Sequence, residues 1–169
     1  MVNTLTAWKM PDPGGAEEAL RRLRALAEQG LIHVDDAALV TWPPERRRPR
    51  TRELGSLTGP GALWGGFWGM LLGLVFVAPL AGLAIGAAAG AVVGTLTDFG
   101  ISDEFIAEVR ERVTPGTSAL FLLSHGAVVD RVADALADLD LELVRSNLDA
   151  EQERRLREAL GEEPAQPVG

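Results

Sequence analysis

From Leu54 to Thr97 the chain carries no charged side chain and no histidine. These 44 residues are too many for one core helix of a small soluble domain. They match two membrane-crossing helices and a turn, at about 20 residues per crossing. Glycine recurs there at every fourth position. Gly61, Gly65, Gly69 and Gly73 form one series, Gly82, Gly86, Gly90 and Gly94 a second, and Pro79 lies between them. A glycine every fourth residue lines a helix face with bare backbone, which lets another helix approach closely. The pattern predicts one helix from about Leu57 to Val77 and another from about Leu80 to Thr97, packed through these eight glycines. In lipid both must be helical, because backbone polar groups there have no water to bond.

The flanks suggest how such a hairpin would sit. Arg46, Arg47, Arg48, Arg50 and Arg52 fall within seven residues just before the uncharged run, marking that side as cytoplasmic. Trp64, Phe67 and Trp68 lie near the same end, where aromatic rings favour the headgroup zone. A hairpin returns the chain to its starting side, so both termini are expected in the cytoplasm. At the second foot stand Asp98, Asp103 and Glu104, expected to pair with Arg50 or Arg52. The wholly apolar tip, Leu74–Leu83, suits a re-entrant hairpin better than a loop emerging on the far side. A hairpin buried inside a soluble assembly is the other way to shelter such a run.

The remaining 125 or so residues suffice for one modest core. Asn3–Met10 and Ala37–Trp42 read as strands, and between them Leu20, Leu23, Leu26 and Ala27 mark a helix introduced by Asp12-Pro13 and ended by Gly30. After the hairpin, Ser102 caps an amphipathic helix carrying Phe105, Ile106, Val109 and Val113. Ser118–Ser124 is an apolar strand, Val128, Val129, Val132, Leu136 and Leu139 a helical stripe, and Leu141–Arg145 a short strand. Asp149 with Gln152 forms a capping-box pattern for a terminal helix through Leu160. Set apart from the insertion and the helix after it, the order is β-α-β-β-α-β. This predicts an α+β, ferredoxin-like two-layer sandwich of split β-α-β type, with a glycine-zipper hairpin inserted, transmembrane or re-entrant. Residues 1–45 and 115–160 make the two halves of that domain, 46–56 an arginine-rich linker, 57–97 the hairpin, 98–114 the amphipathic helix and 161–169 a disordered tail.

Composition narrows the chemistry. There is no cysteine, so disulfides, thiolate catalysis and Cys-ligated zinc are excluded. Residues 1–53 carry nine basic and eight acidic side chains, whereas 98–169 carry seven and sixteen, which argues against nucleic acid as a partner. His33, Asp35 and Asp36 lack further metal ligands at a recognised spacing, and His125 reads as a loop residue, so no metal and no cofactor are expected. Asp98-Phe99-Gly100 is a chance match to part of a kinase signature, and neither a phosphate-binding loop nor a nucleophile elbow occurs.

Three stretches together have a familiar look: Gly61–Gly73 (GALWGGFWGMLLG), Asp98–Ile106 (DFGISDEFI) and Pro115–Leu123 (PGTSALFLL). Through them the chain resembles the uncharacterised bacterial membrane proteins grouped as domain of unknown function 1269, over about Thr4 to Leu160. That resemblance implies a membrane protein with no established activity and transfers no catalytic residue. The expected function is that of a non-enzymatic homo-oligomer, anchored in the cytoplasmic membrane and scaffolding it, with itself and the bilayer as partners. The alternatives are a soluble shell or ring with hairpins inside, and a membrane-associated small-ligand sensor or pore. With only Thr58, Thr95 and Thr97 as polar residues in the hairpin, an ion path is disfavoured.

Overall fold

The computed structural model describes residues 4–54, 65–77 and 101–162. Its elements run β1 (Thr4–Met10), α1 (Gly15–Glu28), β2 (His33–Thr41), β3 (Arg50–Glu53), α2 (Gly65–Leu72) and α3 (Asp103–Arg112). Then follow β4 (Ser118–His125), α4 (Val129–Leu136), β5 (Glu142–Ser146) and α5 (Ala150–Ala159). A π-helical stretch over Gly73–Val77 continues α2. The strands form one antiparallel sheet in the order β3-β2-β4-β1-β5. The chain is thus an α+β protein built on a five-stranded sheet, and β1 and β2 run parallel on either side of β4.

Both faces of the sheet are covered. Alternate side chains send Leu120, Leu122, Leu39 and Trp8 into a core with α1 and α4. Phe121, Leu123, Val40 and Leu5 enter a second core with α2, its π-helical extension and α3. This corrects the two-layer expectation. The helix after the hairpin and part of the hairpin's own first arm lie on the sheet face that a two-layer sandwich leaves open. Ser118–Ser124 is buried along its whole length, because a central strand covered on both sides has no solvent face to keep polar.

Local signals hold where the hydrogen bonds are local. The Ser102 hydroxyl accepts from the Phe105 N–H, and Asp149 with Gln152 completes a capping box. At α1 the helix starts later than Asp12-Pro13 suggests. Asp12 Oδ1 accepts from the Gly14 N–H in a turn, and the Ser118 hydroxyl accepts from the Ala16 N–H while donating to the Asp12 carbonyl. A strand residue 102 positions away therefore supplies the cap. Gly15 is needed at this junction, since a Cβ there would stand 2.5 Å from that of Met10.

The outer edge of β5 is closed by side chains. Glu162 accepts from the Leu143 N–H, Glu153 from the Ser146 N–H, and Arg157 donates to the Leu143 and Val144 carbonyls at 2.6 and 3.2 Å. α5 and the residues just after it occupy the place of a sixth strand, which removes an open pairing edge. At the opposite edge, part of the arginine-rich stretch is not a linker. Arg50–Glu53 pairs with β2 as β3.

Candidate functional site

On the α1 side of the sheet, between the ends of β1 and β4 and the helices α4 and α5, lies a cavity of about 290 Å³. Its walls are apolar: Trp8, Leu122, Val132 and Leu156. Polar groups also contribute to the lining. Thr6 and Ser124 come from the strands, His125 ends β4, and Gln152 and Arg155 come from α5. Thr6 Oγ1 accepts from the Trp8 indole N–H at 2.8 Å, so the hydroxyl hydrogen of Thr6 remains for another acceptor.

His125 is held from behind. Its Nδ1 lies 2.7 Å from Asp35 Oδ2, and a carboxylate accepts, so Nδ1 carries the hydrogen. The His33 ring stacks on His125 with centroids 4.9 Å apart and planes 18° from parallel. Strand register creates this cluster. His33 pairs directly with His125, and the bulge between Val34 and Asp36 re-aims Asp35. The expectation of a loop position for His125 is corrected, because it closes a strand. No sequence signal links residues 33 and 125; the β2–β4 pairing does. Among the described residues no group of side chains is arranged to hold a metal ion.

The second feature is the docked apolar segment on the opposite face. Trp68, Leu71, Val75 and Phe76 are buried against the sheet and α3. Trp68 is expected at a bilayer interface; here it is fully buried, its ring edge-on to Phe121. The Arg110 guanidinium donates to the Leu74 and Val75 carbonyls at 2.7 and 3.1 Å, giving partners to oxygens that the π-helical stretch holds near its end. Phe76 and Ile101 join the same core.

The other residues singled out in the sequence are dispersed. Gly65 opens α2, and among the described residues a Cβ on Gly69 or Gly73 would meet no atom within 4 Å. Phe67 lies in α2. Arg46, Arg47 and Arg48 are exposed between β2 and β3. Among the described residues, Arg52 binds Glu17 of α1 at 2.5 Å. Asp103 and Glu104 are exposed in the first turn of α3, and Glu104 is held below the usual carboxylate range by its own backbone N–H and the Ser102 hydroxyl. α3 is tied to β5 instead through Glu108 with Arg145 and Arg112 with Glu142. Gly61, Gly82, Gly86, Gly90, Gly94, Trp64 and Asp98 lie outside the described residues. Among the described residues no helix is long and apolar enough to cross a membrane.

A family model described as "Protein of unknown function (DUF1269)" matches residues 62–161. The chain belongs to that family. The match begins inside the uncharged run and ends after α5, so β1, α1, β2 and β3 stand outside it, in contrast to the near-complete coverage the resemblance suggests. No curated protein and no solved structure matches the chain.

Proposed function

We propose that this protein is a non-enzymatic, membrane-associated sensor of a small ligand, with a ferredoxin-like body at the cytoplasmic face of the membrane. The cavity beside His125 carries this reading. It combines apolar walls with a few polar groups, the usual make-up of a small-molecule site. The strand order β2-β4-β1-β5, with β3 added at the edge, supports the ferredoxin-like description.

The uncharged run supports membrane attachment, and its length bounds the depth. With Gly65–Val77 laid on the sheet, only residues 78–100 remain between the two points of attachment. Two full crossings need about 40 residues. A helical hairpin of about 23 residues reaches roughly 15 Å, half of the hydrocarbon core. A re-entrant anchor is therefore favoured over two spans.

Self-assembly is a second reading, favoured by the open glycine face at Gly69 and Gly73. A helix of another copy could approach there without displacing a side chain.

Two measurements test the proposal. Ultracentrifugation of detergent-free lysate should pellet the full chain with membranes; recovery in the supernatant removes the anchor. A thermal-shift screen of small amphipathic fragments should find stabilising ligands in the wild type and lose them in Ala127→Trp, which blocks the cavity mouth at an exposed position. Equal shifts in both proteins remove the cavity as the sensing site.

A further inference from the structure

We infer that the cavity takes a short amphipathic carboxylate, an acid with an apolar body of medium length; this rests on the sensor reading above. Arg155 supplies the first argument. It uses Nε alone on Glu151, at 3.0 Å, and its two terminal nitrogens hold no hydrogen bond among the described residues. Paired terminal N–H groups of a guanidinium match the two oxygens of a carboxylate, and such charge-assisted pairs are the stronger class of hydrogen bond.

The lining provides further anchors of the right kind. Thr6, with its hydroxyl hydrogen uncommitted, and Ser124 can donate to an acid oxygen or to a substituent beside it. Asp35 holds the His125 ring in place at the cavity lining. Among the described residues no carboxylate lines the cavity wall itself; the nearest ones sit behind its anchors, Glu151 on Arg155 Nε and Asp35 on His125 Nδ1.

Size and shape select the body. A volume near 290 Å³ equals the share of about ten waters and accommodates a ligand of about ten non-hydrogen atoms. That is too small for a nucleotide or a long-chain fatty acid and suits octanoate. Trp8, Leu122, Val132 and Leu156 offer the chain a dry wall, where each buried methylene adds about 0.8 kcal/mol.

Calorimetric titration of the full chain with octanoate, 1-octanol and palmitate tests the class. Octanoate should bind saturably, 1-octanol about tenfold more weakly, and palmitate not measurably. Arg155→Gln should weaken octanoate about tenfold and leave octanol unchanged, the size expected for losing a charge-assisted contact. Arg155 is exposed on α5, so this variant keeps the fold, and a circular-dichroism melt verifies it. Equal affinity for acid and alcohol, undisturbed by Arg155→Gln, overturns the carboxylate while leaving a ligand cavity in place. Tight palmitate binding overturns the size limit. If neither eight-carbon compound binds while other fragments do so in an Ala127→Trp-sensitive manner, the class assigned here is wrong and the sensor reading survives; if nothing binds, both fall.

Discussion

The rings of Trp68 and Phe121 meet edge-on, with centroids 6.3 Å apart and planes at 64°. Phe121 stands on β4 beside Leu122, which faces the other side of the sheet and lines the cavity. The docked apolar segment and the cavity thus share one strand, a single peptide step apart.

Trp68→Ala should destabilise the domain by about 3–5 kcal/mol, the cost of emptying a fully buried aromatic site. Urea denaturation measures it. A tryptophan resting at a headgroup boundary would leave the stability of the α+β body unchanged, so a shift below about 0.5 kcal/mol would return Trp68 to the membrane.

Glu153 predicts the acid limb of stability. Burial pushes its carboxyl up, but hydrogen bonds from Ser146 and Arg157, with the Arg157 charge, outweigh this and hold it below the usual range. A carboxylate lowered in the folded state stabilises above its unfolded value of about 4.3 and loses that contribution as pH falls through the folded value. Glu153→Gln should therefore be less stable at neutral pH and show a shallower loss below about pH 4. Urea midpoints between neutral and acid pH decide it; parallel curves for the two proteins would show that Glu153 contributes nothing to the acid transition.

Arg157→Met removes the donors that cover β5. The Leu143 and Val144 carbonyls lose their partners, and Glu153 and Glu162 lose a largely buried counter-charge. The expected cost is about 3 kcal/mol, with faster amide exchange along β5 and, at higher concentration, association through the opened edge. Size-exclusion chromatography reports the last.

Gly69→Leu separates packing within the chain from packing between copies. A side chain at this exposed position meets nothing in the described body, so the melting temperature should hold or rise slightly with the better helix propensity. If copies pack through this face, the mass measured by light scattering in detergent should drop. An unchanged mass places the contact elsewhere.

Much of the fold was legible in the residues themselves. Ser102, Asp149 and Gln152 mark helix starts because a side-chain cap needs only the next three residues. The unbroken apolar stretch Ser118–Ser124 reads as a strand, but its burial on both faces lies outside the expectation of a two-layer sandwich. The His33–His125–Asp35 cluster was not legible, because it exists only through the register of β2 on β4 and one bulge. Arg52 with Glu17 is a pairing of the same kind, set by β3 lying at the sheet edge beside β2.

The sequence by itself determined an α+β chain with an apolar insertion, the helix caps and membership of its family. Tertiary structure alone decided where the insertion's first arm goes. Trp68, Leu71 and Val75 gain as much by leaving water for a bilayer as for a sheet face, since both are apolar and hydrophobic burial has no direction. Only the open face of β1, β2 and β4, with Arg110 waiting to take the Leu74 and Val75 carbonyls, distinguishes the two destinations.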